Sequence, residues 1–193
     1  MKVTVLGHSY VRDLAGYSNS ILRISDSLIF EIQYIYVPGA RFQTFIDRPH
    51  LIQQAAQYNP DIVIVLLGGN DISENVPLTN VREICSKFYS LLNSYLTNKF
   101  VISVQVEPRY LTRVNRHGTP AAQEYQRLSG YFNFWLKKQK FKNRLVCVCG
   151  PNRLSDPKLY KPDGIHLNQL GISRLFTILK FALVDTANRI RHD

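Results

Sequence analysis

Three residue types that together perform acyl transfer occur in widely separated parts of the chain. Ser9 follows a short β-branched run that ends at Gly7, whereas Asp163 and His166 stand three residues apart near the other end. A serine hydroxyl becomes a nucleophile only beside a base, and an imidazole oriented by a carboxylate is such a base. One short turn can direct Asp163 and His166 to the same point. These residues therefore predict a catalytic triad, provided that the fold brings Ser9 to them.

Acyl transfer also needs N–H donors that stabilise the oxyanion of the tetrahedral intermediate. The sequence offers the backbone N–H of Ser9, the backbone N–H of Gly39 and the side-chain amide of Asn70. Glycine lets the backbone approach a substrate closely. The strand-turn-helix pattern around Ser9 places it at a helix N-terminus, where N–H groups are unpaired and negative charge is favoured. We expect these three donors to form an oxyanion hole.

The elements that must position these residues alternate along the chain. The uninterrupted apolar run of residues 62–67 is typical of a central parallel strand that is buried on both faces. Strands are predicted at residues 2–6, 30–37, 62–67, 100–106 and 144–149. Helices are predicted from about Tyr10 to a break near Gly16 and Ser18, at 40–58 (divided at Pro49), after residues 77–80 with apolar positions from Val81 to Tyr95, and at about 120–140 and 167–189. Residues 21–26 stay ambiguous. The alternation predicts an α/β fold, a five-stranded parallel sheet covered on both faces, in a single domain over residues 1–193. Ligands bind such sheets outside the carboxyl ends of the strands.

These motifs resemble those of a known family. Gly7-X-Ser9, Gly39, Gly68-Gly69-Asn70-Asp71 and Asp163-X-X-His166 match, in order, the four blocks of the SGNH (GDSL-type) hydrolases, over nearly the whole chain. The resemblance implies a flavodoxin-like three-layer α/β/α sandwich. It implies a serine esterase with Ser9 as nucleophile, His166 as base and Asp163 as the acid that orients it. Ser9, Gly39 and Asn70 would supply the oxyanion hole, and no metal or organic cofactor is implied.

One position departs from the family pattern. His8 stands between the glycine and the serine, where the family usually has aspartate. That aspartate is not one of the family's four catalytic residues, so the chemistry is retained, but the bracing of the turn is altered. We expect His166, and not His8, to be the base, because neighbouring side chains on a tight turn diverge.

Two functions are consistent with these observations. The first is hydrolysis of a short-chain carboxylic ester, with acetyl as the candidate acyl group. The second is an accessory domain that binds nucleic acid or another polyanion, because the net charge is +10. Esterase-like domains of this family also occur in the first open reading frame of some animal retrotransposons, and the His8 variant looks similar to such copies. His8, Arg109, Arg113 and Arg116 are candidate contacts to a substrate or polyanion.

Each motif also has a structural alternative. Ser9 could be an ordinary helix N-cap, and His166 could be a packed histidine at a helix start. Asn70 and Asp71 could form only a turn, with Asp71 capping or bracing the loop. The segment from Arg109 to Arg116 could be a solvated loop. The sequence alone leaves these alternatives open.

Composition excludes several other classes of protein. The chain of 193 residues is 45% hydrophobic and 20% charged, which favours a packed core over disorder. Three cysteines, Cys85, Cys147 and Cys149, lack metal-ligand spacing and are expected to be reduced thiols. No apolar run is long enough to span a membrane, and no leader pattern opens this chain, so a cytoplasmic location is expected. Nothing in the sequence indicates the oligomeric state.

Overall fold

Strands and helices alternate along the chain in the computed structural model, which describes residues 1–74, 76–110, 122–139 and 154–192, and the backbone of 144–148. The strands are β1 (Lys2–Gly7), β2 (Ile21–Ser25), β3 (Leu28–Tyr36), β4 (Ile62–Leu66), β5 (Phe100–Val104) and β6 (Arg144–Val148). The helices are α1 (Ser9–Tyr17), α2 (Phe42–Asp47), α3 (His50–Tyr58), α4 (Gly69–Ile72), α5 (Leu78–Tyr95), α6 (Ala122–Lys137) and α7 (Gln169–His192). The order of elements agrees with the predicted alternation.

One mixed sheet organises these elements, in the order β2-β3-β1-β4-β5-β6. Five neighbouring strands, β3, β1, β4, β5 and β6, are parallel, as predicted. Their order in the sheet is that of flavodoxin-like folds. A sixth strand, β2, pairs antiparallel with β3 at the edge of the sheet, so the predicted total of five strands is one too few. β2 was missed because it is half exposed: Ile21 is 60% exposed, and the strand lacks the continuous apolar run of a buried one.

The two faces of the sheet carry separate apolar clusters. Alternate side chains of β4 point to opposite faces, Ile62, Ile64 and Leu66 to one and Val63 and Val65 to the other. The first face packs against α1 and α7. The second packs against α2, α3, α5 and α6. The chain therefore forms the predicted three-layer α/β/α sandwich.

Aromatic side chains fix the position of α2 on the second face. The Phe42 ring lies 5.4 Å from the Phe88 ring of α5 and 6.2 Å from the Phe132 ring of α6, measured between centroids. Phe42, Phe88 and Phe132 are all fully buried. Aromatic pairs at such distances contribute about 0.5–1.5 kcal/mol each beyond the area they bury. This packing holds the N-terminus of α2 beside the carboxyl end of β4.

A side chain of α6 bonds the backbone two residues beyond the end of β5. Asn133 is buried, and its amide bonds both backbone groups of Val106: Nδ2 donates to the carbonyl oxygen at 3.0 Å, and Oδ1 accepts from the N–H at 2.9 Å. The amide thus replaces a neighbouring strand at Val106. The residues that follow, Glu107 to Tyr110, leave the sheet at its carboxyl edge.

The segment before α7 is fixed at its base by Asn168. The Asn168 Nδ2 group donates to the carbonyl oxygens of Lys158 and Tyr160 at 2.7 and 3.2 Å, and Oδ1 accepts from Gly171 N–H at 3.0 Å. Leu167 and Tyr160 form an isolated antiparallel bridge. The intervening residues 161–166 therefore form a closed loop. No helix within the described ranges is long and apolar enough to cross a membrane.

Candidate active site

Ser9 lies where β1 ends and α1 begins. It is the first residue of the helix, and its backbone N–H has no acceptor among the described residues, as expected in a first helical turn. The preceding residue, His8, has extended backbone angles and supplies the cap. The alternative that Ser9 is the N-cap is therefore wrong. Its hydroxyl is instead set at the positive end of the helix dipole.

His8 caps α1 from a buried position. Its Nδ1 atom accepts a hydrogen bond from Tyr10 N–H at 3.4 Å, and the residue is only 6% exposed. Burial, aided by the nearby charges of Arg109 and His166, lowers the pKa of His8 to about 3. The imidazole is therefore neutral at physiological pH and can accept from the helix, as an aspartate cap would. The prediction that His8 contacts a substrate or polyanion stays a prediction, although its side chain is largely buried.

Asp163 and His166 form a hydrogen-bonded pair on the loop before α7. The Nδ1 atom of His166 lies 2.8 Å from Asp163 Oδ2. The other carboxylate oxygen, Oδ1, accepts from the backbone N–H groups of Ile165 and His166, both at 2.9 Å. Partial burial opposes ionisation, but these bonds outweigh it and lower the pKa of Asp163 to about 2. The predicted turn thus holds an ionised carboxylate against one imidazole nitrogen and leaves the other available.

The loop of His166 contacts the first turn of α1 through Tyr10. The buried Tyr10 hydroxyl donates to the carbonyl oxygen of Ile165 at 2.5 Å. His166 also lies close enough to His8 to influence its pKa. Within the described residues no hydrogen bond joins Ser9 Oγ to His166, and such bonds often form only when substrate is bound. The first turn of α1 and the loop of His166 are therefore neighbours in the fold.

Gly39 occupies a turn that exposes its backbone N–H. Ala40 N–H donates to the carbonyl oxygen of Val37 at 3.0 Å, and Gly39 has φ of +73° at the third position of this turn. With Pro38 before it, this is a type II turn, which requires glycine at that position. In the described part of the chain nothing accepts from Gly39 N–H, and the space beside its Cα is open.

Asn70 stands in the one-turn helix α4, directly after β4. Its Nδ2 group donates to the carbonyl oxygen of Ala40 at 3.0 Å, and its Oδ1 atom accepts from Arg109 at 2.8 Å. An amide carries two N–H donors, so one remains after the bond to Ala40. Asn70 thus bonds the residue that directly follows Gly39, so the two predicted donors lie on segments that contact each other. The alternative that Asn70 belongs only to a turn does not account for these contacts.

Asp71 braces the same loop, as one sequence alternative predicted. Its Oδ1 atom accepts from the backbone N–H of Phe42 at 3.1 Å, which ties α4 to the first residue of α2. The Oδ2 atom is buried and has no partner in the described residues. Burial raises the pKa of Asp71 to about 6. Asp71 thus joins the segments of Gly39 and Asn70.

Arg109 does not face solvent. It is 9% exposed; its Nη1 group donates to Ser73 Oγ, its Nη2 group donates to Asn70 Oδ1, and its Cζ atom lies 5.0 Å from the centre of the Tyr125 ring. Arg109 therefore does not belong to a solvated loop, and its predicted contact with a substrate or polyanion stays a prediction. Sequence reasoning missed the contacts of Arg109 because its partners lie far away in the chain. Arg113 and Arg116, the other two arginines of that prediction, lie outside the described residues.

Glu107 is a second buried ionisable group that the sequence analysis did not single out. It is 8% exposed, and its Oε1 atom has no partner in the described residues. Burial raises its pKa to about 7, although Arg109 opposes the shift. A carboxylate three residues beyond the apolar strand β5 could have drawn attention to it. No group of three or more histidine, cysteine, aspartate or glutamate residues in the described ranges could hold a metal ion.

Comparison by sequence and by structure gives different results. No protein-family model and no curated protein matches the sequence. Solved structures match over nearly the whole chain. A GDSL-like lipase from Bacteroides thetaiotaomicron is 19% identical with a TM-score of 0.66, and the match covers 96% of this chain and 88% of that one.

Two further solved structures agree. A lipase/acylhydrolase from Enterococcus faecalis is 17% identical with a TM-score of 0.62, covering 93% of each chain. An acetyl esterase mutant with an acetate ion is 12% identical with a TM-score of 0.66, covering 98% of this chain and 99% of that one. At these identities the likeness shows the fold alone. The chain has the α/β/α fold of GDSL-like lipases and acylhydrolases, which confirms the fold predicted from the four sequence blocks.

Proposed function

We propose that this protein is a serine hydrolase of carboxylic esters. The observation that carries the proposal is the Asp163–His166 pair, 2.8 Å between Oδ2 and Nδ1, on a loop bonded to the first turn of the helix that begins with Ser9. An imidazole with one nitrogen engaged by a carboxylate can accept a proton on the other. The fold of lipases and acylhydrolases supports the same reaction class.

The reaction would proceed in two halves. His166 Nε2 removes the proton of Ser9 Oγ as that oxygen attacks the ester carbonyl carbon, and the carbonyl oxygen becomes an oxyanion. The resulting imidazolium, stabilised by Asp163, returns the proton to the leaving alcohol as the C–O bond breaks, which leaves an acyl-serine. Water then attacks the acyl carbon with His166 as base, which releases the carboxylic acid and restores Ser9.

Three N–H donors would stabilise the oxyanion: the backbone N–H groups of Ser9 and Gly39 and the remaining Nδ2 hydrogen of Asn70. The first two have no acceptor among the described residues, so they are available to a ligand. Loss of one such donor costs about 10²- to 10³-fold in kcat in well-studied serine hydrolases. We propose a small acyl group, with acetyl as the first to test, consistent with the acetyl esterase among the similar structures.

The experiment combines labelling and turnover. A fluorophosphonate probe should modify the peptide that contains Ser9, and p-nitrophenyl acetate should be hydrolysed faster than the octanoate ester. Ser9→Ala and His166→Ala should reduce turnover to background. Ser27→Ala, on the exposed turn between β2 and β3, is the matched control and should behave as wild type. Equal turnover by wild type and Ser9→Ala would refute the proposal.

A further inference from the structure

Arg109 reaches the oxyanion donors from a different strand. It leaves the sheet after β5 and bonds Asn70 and Ser73, two residues of the segment that follows β4. Its guanidinium also packs over the Tyr125 ring of α6. The approach is close: a Cβ atom on Gly69 would lie 3.2 Å from Arg109 Nη2. A side chain at this position would therefore press on Arg109 and on the Tyr125 hydroxyl, and both would have to shift slightly.

The chemistry of the two groups fixes the orientation of the Asn70 amide. A guanidinium only donates hydrogen bonds, so the group facing Arg109 must be the amide oxygen. The Nδ2 group then faces the opposite way, where the carbonyl oxygen of Ala40 accepts at 3.0 Å. If the amide were rotated by half a turn, its NH₂ would oppose the donors of Arg109 and its oxygen would oppose the oxygen of Ala40. The network therefore permits one orientation.

The same network also connects the two candidate donors. Ala40 directly follows Gly39, so the bond from Asn70 Nδ2 to the Ala40 carbonyl holds the backbone just beyond the turn that presents the Gly39 N–H. On its other side, Ser73 anchors Arg109 and itself donates to the carbonyl oxygen of Gly69 at 2.9 Å. The chain of contacts runs from Ser73 through Arg109 and Asn70 to Ala40.

We propose that Arg109 is a positioning residue that locks the Asn70 amide, so that an N–H and not the oxygen faces the oxyanion, and that keeps this donor in register with Gly39 N–H. The locking itself is a property of the fold. Its catalytic consequence rests on the proposed esterase function. Arg109 does not touch the substrate in this proposal, so its removal should affect catalysis only through Asn70.

Kinetics separate this role from a merely structural one. Arg109→Met should lower kcat for p-nitrophenyl acetate about 10- to 100-fold with little change in KM, because a misplaced donor is felt in the transition state. In an Asn70→Ala background the same change should add little further loss. Arg109→Lys, which retains one donor, should recover part of the rate. Losses that multiply in the double variant, or an unchanged kcat, would overturn the proposal.

A second measurement does not depend on turnover. The side-chain amide protons of Asn70 can be assigned by NMR from their disappearance in Asn70→Ala. Arg109→Met should speed the exchange with water of the proton bonded to Ala40 by about tenfold, since a supporting hydrogen bond is lost. Arg127→Met removes an exposed arginine of α6 and is the matched control, expected to leave this exchange unchanged.

The two measurements distinguish the possible failures. Unchanged Asn70 proton exchange in Arg109→Met would overturn the positioning role whether or not the protein is an esterase. If the wild type neither turns over esters nor reacts with fluorophosphonate, the proposed function fails, and the exchange experiment still decides whether Arg109 locks the amide. Thermal unfolding of each variant confirms that the folded protein is being compared.

Discussion

The hydroxyl of Tyr10 donates a 2.5 Å hydrogen bond to the carbonyl oxygen of Ile165, which joins residues 155 positions apart in the chain. Tyr10 follows the proposed nucleophile, and Ile165 precedes the proposed base. Burial and the neighbouring carboxyl of Glu107 keep the pKa of Tyr10 well above its usual value, so the phenol remains a donor. This bond is the direct structural link between the two halves of the candidate active site.

Tyr10→Phe should therefore slow catalysis while the protein remains folded. The change deletes only the hydroxyl, so the ring still packs, but the loop of His166 loses its connection to α1. We expect kcat to fall about 10- to 100-fold and the free energy of unfolding to fall by about 1–3 kcal/mol. Ester hydrolysis and urea unfolding measure the two effects. Tyr17→Phe, on the exposed end of α1, should change neither, and a Tyr10→Phe enzyme as fast as wild type would show that this bond is dispensable.

Asp163→Asn should preserve the loop and remove most of the activity. The asparagine oxygen can still accept from Ile165 and His166 N–H, but the side chain no longer carries the charge that stabilises an imidazolium. Similar changes in serine protease triads cost on the order of 10⁴-fold in kcat. Steady-state hydrolysis of p-nitrophenyl acetate measures this loss, and circular dichroism monitors the fold. Asp185→Asn, on the exposed face of α7, is the control; a loss below tenfold would remove Asp163 from the proposed triad.

Glu107→Gln should make the protein more stable at alkaline pH relative to wild type. The pKa of the Glu107 carboxyl is about 7 in the folded protein, against 4.5 for a glutamate in an unfolded chain. Between these values the folded state binds more protons than the unfolded state, so the free energy of unfolding falls as pH rises. Glutamine removes this dependence.

Urea unfolding at pH 5 and pH 8 measures the effect. The gain of Glu107→Gln over wild type should grow by on the order of 2 kcal/mol between the two pH values. Glu83→Gln, which changes an exposed glutamate on α5, should show no such growth. Parallel pH profiles of Glu107→Gln and wild type would mean that the carboxyl is not held protonated by burial.

His8→Asn should protect the protein against mild acid. Asparagine is a good N-cap and does not titrate. The pKa of His8 is about 3 in the folded protein, against 6.5 for a histidine in an unfolded chain. Between these pH values the imidazole is protonated in the unfolded state and neutral in the folded state. The free energy of unfolding therefore falls as pH drops below 6.5. Between pH 7 and pH 5, wild type should lose about 2 kcal/mol more than His8→Asn in urea unfolding. Equal losses would refute this.

The fold was predictable from the sequence because its signals are local. The apolar run of β4 and the separation of strands by helical segments indicate a covered parallel sheet without any knowledge of contacts. β2 carries no such signal, since it pairs on one side only and half of its side chains meet solvent. Its placement depends on β3, which no local pattern of residues 21–25 encodes.

The candidate site was predictable in part. Ser9, Gly39, Asn70 and the Asp163–His166 pair are identifiable because turn geometry restricts which residues can stand there. The contacts of Arg109 were missed, because an arginine in a basic loop looks solvent-exposed unless its partners are known. Those partners, at Asn70 and Tyr125, lie on two other elements. Whether a charged residue is buried is decided by tertiary contacts, and such contacts leave no periodicity in the sequence.

The paired hydrogen bonds of Asn133 to Val106 connect α6 with the chain two residues beyond the end of β5. If Asn133 were replaced by a residue without both a donor and an acceptor, the backbone of Val106 would have to find other partners, and the exit of the following residues would shift. Glu107 and Arg109 lie on the segment that would shift. A substitution on α6, which carries none of the proposed catalytic residues, would thereby displace the side chain that contacts Asn70.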